Sequence, residues 1–148
     1  MLLQERTEKP MPTIDEHFKT AKAHDKVGEY QQAIDCYQQV LSHSPNNVSA
    51  LFAIAYDLSA LKDWGKSVKY YKQVIKRQPG FYSALFDLAW ALDELERYEE
   101  AIVYYDRAIA RRPKHPTAIF NKGLVLYKLK CFVEAVACYN QIIEFDPK

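Results

Sequence analysis

The sequence repeats itself every 34 residues. Proline recurs at this spacing along the whole chain, and a tyrosine and a phenylalanine recur in two further columns. The columns are Pro45, Pro79, Pro113 and Pro147; Tyr37, Tyr71, Tyr105 and Tyr139; and Phe18, Phe52, Phe86 and Phe120. A fixed period of this length is typical of arrays in which similar units stack on one another. It predicts one continuous solenoid domain, with an N-terminal extension at 1–13 and four repeats at 14–47, 48–81, 82–115 and 116–148.

Each repeat carries the hydrophobic pattern of two helices. In the third repeat, Leu85, Leu88 and Leu92 follow the rhythm of one helical face, and a second run follows a short break. Thr13 and Glu16 have the spacing of a capping box, which marks a helix start. The repeated prolines end each second helix, because proline disfavours a helical residue before it. An all-α fold is predicted, with helix pairs at 14–27 and 30–44, 48–61 and 64–77, 82–95 and 98–111, and 116–129 and 132–145.

Composition excludes several classes of protein. The net charge is +1, with 20 basic and 19 acidic residues, which argues against a protein that mainly binds polyanions. No apolar stretch approaches the ~20 residues that a membrane-spanning helix needs. The N-terminus lacks the basic and apolar regions of a secretory signal, and the three cysteines have no metal-ligand spacing. A reduced, cytoplasmic protein without nucleic-acid or membrane partners is therefore predicted.

The period, the helix pairs and the motif Ala-x3-Tyr followed by proline (Ala101, Tyr105 and Pro113) together resemble the tetratricopeptide repeat family. The resemblance implies a right-handed α-solenoid of antiparallel helix pairs, with a concave face formed by the first helix of each repeat. It also implies two columns of small residues at which helices approach closely. These are Ala21, Ala55, Ala89 and Gly123, and Ala33, Ser67, Ala101 and Ala135.

No catalytic motif is present. The four glycines are isolated, so there is no phosphate-binding loop, and the motifs of serine hydrolases and zinc proteases are missing. Cys131 and Cys138 lie too far apart along one helix to form a disulfide, and Cys36 and Cys138 are expected to pack, with a reactive thiol as the lesser alternative. His17 and His24 replace apolar residues in the first repeat, which predicts a polar N-terminal cap rather than a metal site. We expect no enzyme activity, no cofactor and no metal.

Two charged features have competing interpretations. The second repeat carries a run of basic residues, for which a solvated outer face is favoured over a nucleic-acid site. The run comprises Lys62, Lys66, Lys69, Lys72, Lys76 and Arg77. Asp57 stands in a column that is otherwise Ala or Val, and a local polar contact is favoured over a charge at the edge of the groove.

The inward columns implied by the resemblance predict an aromatic groove that is basic near the first repeat and acidic near the third. Tyr56 and Trp90 are the best anchors for an apolar or aromatic partner side chain, because their column varies between repeats. The phenylalanine column is expected to serve packing and binding about equally. Acidic neighbours would favour a basic residue beside the anchor. The predicted partner-binding residues are Phe52, Tyr56, Phe86, Asp87, Trp90, Asp93, Glu94, Phe120 and Tyr127.

Two known binding modes of the family have no counterpart here. Members that hold the acidic C-terminus of heat-shock chaperones use a clamp of Lys and Asn side chains. The corresponding positions are Phe18, Lys22, Ala53, Ser83 and Asp87, so acidic chaperone tails are disfavoured as partners. The asparagine ladder of the family's peptide-backbone binders is also missing, apart from Asn121.

The segment 132–145 is unusually apolar for the last helix of a solenoid. Val133 and Ala137 stand where the first repeat has Gln31 and Asp35. Such a face needs a further repeat or another subunit to cover it. The sequence thus predicts a non-enzymatic interaction scaffold that binds a peptide or helix in its groove. The alternatives are a self-assembly module that oligomerises through 132–145, and the interaction part of a larger protein.

Overall fold

A computed structural model of the chain describes residues 10–145 and Pro147. These residues form eight α-helices and no strand; positions 1–9 of the predicted extension lie outside the described part. Every helix begins at the predicted residue and ends within one residue of the predicted end. The helices are α1 (Ile14–Lys26), α2 (Tyr30–His43), α3 (Val48–Ala60), α4 (Trp64–Arg77), α5 (Tyr82–Glu94), α6 (Tyr98–Arg111), α7 (Pro116–Lys128) and α8 (Phe132–Phe145).

Local signals account for the helix ends. The capping box at α1 is confirmed: the Glu16 backbone N–H donates to Thr13 Oγ1 at 3.2 Å, and the Thr13 N–H donates to Glu16 Oε2 at 2.7 Å. Asn47 caps α3 with a single hydrogen bond, in which the Ala50 backbone N–H donates to Asn47 Oδ1 at 3.0 Å. Helix α2 ends two residues before Pro45, and α4 and α6 end at the same distance from their own prolines.

The turn inside each repeat needs one residue in the left-handed conformation. Gly28 occupies this position in the first repeat with φ 78°, and equivalent positions carry Lys62, Glu96 and Lys130 with φ of 60°, 57° and 62°. For a residue with a Cβ, this conformation costs roughly 1–2 kcal/mol of free energy. The first repeat therefore has the residue best suited to the turn, and the other three carry a small local strain.

Small residues allow the two helices of each repeat to approach closely. Ala21, Ala55 and Ala89 are fully buried between the helices. At the fourth position a Cβ on Gly123 would lie 2.7 Å from Cε1 of Tyr139, so alanine would displace that ring. The second small column is buried as well, and Ala101 is inaccessible to solvent. These contacts confirm the predicted close-packed columns.

The first helices lie on the inner side of the stack. Each helix packs on its neighbours in the chain, and α3 also contacts α5, as α5 contacts α7. Among the described residues, the second helices make no contact of this extent with one another. The inner, concave face is therefore formed by α1, α3, α5 and α7, and the outer face by the other four helices.

The outer face carries the basic residues of the second repeat. All six side chains are exposed, as expected for a solvated face, and two of them form ion pairs: Lys66 with Asp63 at 2.9 Å and Lys72 with Glu100 at 3.8 Å.

The last helix, α8, exposes apolar side chains to solvent, and Val133 is 82% accessible. None of the helices in the described part is both long and apolar enough to cross a bilayer.

Candidate functional site

A cavity of about 110 Å³ opens on the concave face between the second and third repeats. We call it the junction cavity. Its volume is that of about four water molecules at ~30 Å³ each, so it can admit one side chain and is too small for a cofactor. Three helices supply its walls: Tyr56, Ser59 and Ala60 from α3, Tyr71 from α4, and Asp87 and Trp90 from α5.

Two aromatic rings form the rim of the junction cavity. Tyr56 is 55% exposed and Trp90 is 44% exposed, although both belong to the most aromatic part of the fold. Trp64 packs against Trp90 with ring centroids 5.8 Å apart, and the Trp90 indole N–H donates to Glu94 at 3.3 Å. The indole is therefore held in place while its surface remains accessible to a ligand.

The interior of the junction cavity is polar, and its carboxyl group has no hydrogen-bond or ion-pair partner in the described part of the chain. Asp87 makes neither a hydrogen bond nor an ion pair within residues 10–145, and burial raises the pKa of its carboxyl to about 6. The Tyr71 hydroxyl is fully buried and makes no hydrogen bond of ordinary geometry, although Ser59 and Ser67 lie beside it. Burial, and then the charge of Asp87, raise the pKa of Tyr71 above its ordinary value. A ligand with hydrogen-bond donors could satisfy the Asp87 carboxyl group.

The junction between the first and second repeats is closed by the chain itself. The Tyr37 hydroxyl donates to Asp25 Oδ2 at 2.7 Å. Asp57 is only 2% exposed, and burial together with the neighbouring Asp25 raises the pKa of Asp57 to about 8. The two carboxyl groups can therefore share a proton at neutral pH. This is the predicted local polar contact, not a charge at the groove edge.

The junction between the third and fourth repeats is also occupied from within. The Lys128 ammonium donates to Asp93 Oδ1 at 2.6 Å and lies 5.6 Å from the centroid of the Tyr98 ring. The Tyr105 hydroxyl is buried beside the Asn121 side chain. An internal lysine thus neutralises the carboxylate at this junction.

Comparison with known protein families identifies the array. Models of the tetratricopeptide repeat match residues 14–47, 52–116 and 88–148. The chain belongs to the tetratricopeptide repeat family. The resemblance read from the sequence is therefore confirmed.

Solved structures with the same fold include several MamA proteins. "MamA RS-1 ArsTM double mutant" superposes with a TM-score of 0.88 at 19% identity, over 93% of this chain and 78% of that one. "MamA 41-end from Desulfovibrio magneticus RS-1" has a TM-score of 0.87 at 19% identity, over 91% and 76%. "Crystal structure of MamA protein" has a TM-score of 0.86 at 22% identity, over 90% and 73%. These likenesses establish the right-handed solenoid fold alone, and no curated protein sequence matches the chain.

The tetratricopeptide fold brings together some of the residues predicted from sequence. Tyr56, Asp87 and Trp90 line the junction cavity, and Glu94 stands beside Trp90. Asp93 lies at the next junction, where Lys128 already pairs with it. The acidic character predicted near the third repeat is therefore carried by Asp87 and Glu94.

The remaining predicted residues lie outside the junction cavity. Phe52 and Phe86 are half-buried and pack against the tyrosine column, each with ring centroids 5.8 Å from its neighbour. Phe120 packs against Tyr139 in the fourth repeat while remaining 47% exposed. Tyr127 is 61% exposed and contacts Phe132. Packing contacts thus engage all four rings.

Sequence reasoning missed Tyr71 as a residue of the groove. The tyrosine column was assigned only to filling the second helix of each repeat. A signal was available, because every repeat has tyrosine there, although phenylalanine would fill the same space. A hydroxyl retained four times indicates polar neighbours, and the structure places those neighbours on the concave face.

The other chemical candidates take part in packing. Burial raises the pKa of the Cys36 and Cys138 thiols, which disfavours the reactive thiolate. His24 pairs with Glu29 at 2.5 Å, and His17 lies beside the ring of His43. No group of three or more metal-ligating side chains is found in the described part of the chain.

Proposed function

We propose that this tetratricopeptide array is a non-enzymatic scaffold that holds a peptide or helix of a partner protein in its concave groove, with Tyr56 and Trp90 as the anchors. Membership of an interaction-scaffold family supports the general role. The observation that supports the site is a cavity that opens on the concave face and is bordered by two large, exposed aromatic rings. Rigid aromatic side chains offer a large contact area at little cost in conformational entropy, and they dominate binding energy at protein interfaces.

The charges around the anchors bear on the class of partner. Asp87 is unpaired, and Glu94 is exposed beside Trp90. No lysine or arginine lines the junction cavity. Complementary charge speeds association and fixes the register of a bound peptide. A peptide with basic residues near its anchoring side chain suits this groove better than an acidic one.

Selection of ligands from a random peptide library tests the proposal. The full chain is immobilised, and peptides are selected that bind it but not the Tyr56→Ala/Trp90→Ala variant. Calorimetry then measures the affinity of each peptide for both proteins. Val103→Ala serves as the control, because Val103 is as exposed as Tyr56 but lies on the outer helix α6, outside the junction cavity. If every selected peptide binds the double variant as tightly as the original chain, the groove assignment is wrong.

A second candidate function is self-assembly through α8. Five large apolar side chains of this helix are exposed, which is unusual for the end of a solenoid. They are Phe132, Val133, Val136, Ile143 and Phe145. Light scattering at high micromolar concentration tests this function. The Val133→Glu/Ala137→Lys variant is expected to abolish a dimer while preserving the helical circular dichroism signal, and a dimer that persists in it would place the interface elsewhere.

Two further predictions from the sequence remain proposals. One is that the chain is the interaction part of a larger protein, and the other is that it is cytoplasmic. The full-length gene sequence tests the first, and fractionation of cells that produce the chain tests the second.

A further inference from the structure

On the basis of the proposed function, we infer that the junction cavity binds the ammonium group of a lysine side chain in the partner peptide. The cavity combines two exposed aromatic rings with one carboxyl group that has no hydrogen bond or ion pair in the described part of the chain. It therefore receives a cationic side chain, and the apolar anchor predicted from the sequence is replaced by the aliphatic stem of that lysine.

The aromatic walls suit a cation. The faces of tyrosine and tryptophan rings carry partial negative charge, and an ammonium group within about 6 Å of a ring centroid is attracted to them. Trp64 and Glu94 fix the orientation of Trp90. The methylene groups of a lysine stem can pack on the same rings, so that both parts of the side chain gain favourable contacts.

The polar interior supplies acceptors for an ammonium group. Lysine has three N–H donors and no acceptor. The cavity wall offers the Asp87 carboxylate and the hydroxyl oxygen of Ser59. A half-buried carboxylate without a partner is unfavourable, and a ligand cation would remove that penalty on binding. A neutral apolar side chain would leave Asp87 unsatisfied.

The next junction of the same molecule shows this recognition within the chain. There Lys128 donates to Asp93 at 2.6 Å and stands over the ring of Tyr98 at 5.6 Å. A lysine, a carboxylate and a tyrosine ring are thus already combined one repeat further along. At the junction cavity the carboxylate and the rings are present, but the lysine must come from another molecule.

Peptides from the library selection test the inference. For a peptide that requires Trp90, each lysine is replaced in turn by norleucine, which keeps the methylene stem and removes the charge. One such replacement is expected to weaken binding at least tenfold. Asp87→Asn in the protein should cause a similar loss with the original peptide and no further loss with the norleucine peptide. Glu99→Gln is the matched control, since it removes an exposed acid of the outer helix α6, away from the junction cavity, and should change affinity less than threefold.

The outcomes separate this inference from the proposed function. If peptides bind through Tyr56 and Trp90 but tolerate norleucine at every lysine, the lysine assignment is wrong and the groove function stands. If arginine replaces the critical lysine without loss, the cavity recognises charge rather than an ammonium group, and the assignment is again wrong. Peptides that bind the Tyr56→Ala/Trp90→Ala variant as tightly as the original chain would overturn both the lysine assignment and the groove function. Circular dichroism of Asp87→Asn confirms that the variant is folded, and the norleucine peptides test the inference without any change to the protein.

Discussion

The first and second inter-repeat junctions are built from the same sequence columns. However, a carboxyl group at the first junction accepts a hydrogen bond from within the chain, and the carboxyl group at the second does not. Between repeats one and two, Tyr37 donates to Asp25, and Asp57 is buried against the same carboxyl. Between repeats two and three, the Tyr71 hydroxyl is buried beside Ser59 and Ser67, and the Asp87 carboxyl has no hydrogen bond or ion pair in the described part of the chain. A carboxyl group therefore takes part in the fold at one junction and remains available for a ligand at the next. A repeat scaffold can thus acquire a site by leaving one junction unsatisfied.

The largest effect is expected for binding at the second junction. Trp90→Ala should weaken a selected peptide by at least ~2 kcal/mol, since it removes a rigid aromatic anchor at the centre of the contact. Lys22 occupies the same column at the first junction, and Lys22→Ala should change affinity by less than about 0.5 kcal/mol. Calorimetric titration measures both. Equal losses in the two variants would show that the two junctions bind alike.

The close packing of the two helices within a repeat should respond equally to overpacking in the first and third repeats. Ala33 and Ala101 are fully buried in the same column, so a leucine at either position would overpack the crossing of two helices. Each variant should lose about 1–3 kcal/mol of unfolding free energy in denaturant titrations. An unchanged denaturation midpoint for one of them would show that the close-packed column is misplaced in that repeat.

Removal of a tyrosine hydroxyl should affect stability differently at the two junctions. Tyr37→Phe breaks the 2.7 Å hydrogen bond to Asp25 and should cost about 1–2 kcal/mol, because the buried acceptor loses its donor. Tyr71→Phe removes a hydroxyl that makes no hydrogen bond of ordinary geometry and should change stability by less than about 0.5 kcal/mol. Thermal denaturation compares the two. A loss of similar size in Tyr71→Phe would mean that the second junction is satisfied within the chain.

The smallest effect concerns pH and the first junction. The pKa of Asp57 is raised from 3.8 to about 8 in the fold, so the folded chain retains a proton that the unfolded chain has released. The free energy of unfolding should therefore fall as pH rises from 4 towards 8. Between pH 6 and 8, above the pKa of about 6 for Asp87, the fall reports mainly on Asp57, whose carboxyl group faces Asp25 and Tyr37.

Asp57→Asn should remove this part of the pH dependence. The variant is expected to gain stability relative to the original chain as the pH rises from 6 to 8, because it lacks the carboxyl group that retains a proton in the fold. Urea titrations at the two pH values measure the difference, and the histidines contribute equally to both proteins. A constant difference between variant and original across this interval would show that Asp57 is already ionised at pH 6.

The sequence could predict the helices because their signals are local. Proline spacing, apolar rhythm and the Thr13 cap each act within a few residues, and the observed helix ends follow them. The left-handed turn positions were not visible, since only the first repeat has glycine there and Lys62, Glu96 and Lys130 adopt the same conformation. A turn imposed by the packing of two helices overrides the preference of the single residue that makes it.

The candidate site was predictable only in part for the same reason. Tyr56 and Trp90 could be assigned because the first helix of each repeat faces inward by the geometry of the family. The pairing of Lys128 with Asp93 depends on how two repeats are rotated relative to each other and on side-chain conformation. The role of Tyr71 depends on which second-helix side chain reaches through to the concave face. Neither property is encoded at one position.

The most direct test of the site is to map peptide contacts by nuclear magnetic resonance. A selected peptide is titrated into the isotope-labelled chain, and shifts of backbone amides and of the two indole N–H groups are followed. The largest changes are expected on α3 and α5 around Tyr56 and Asp87, and at the Trp90 indole, with the amides around Lys22 and Asp25 little affected. Changes concentrated at the first junction, or on α8, with an unmoved Trp90 indole would contradict the account.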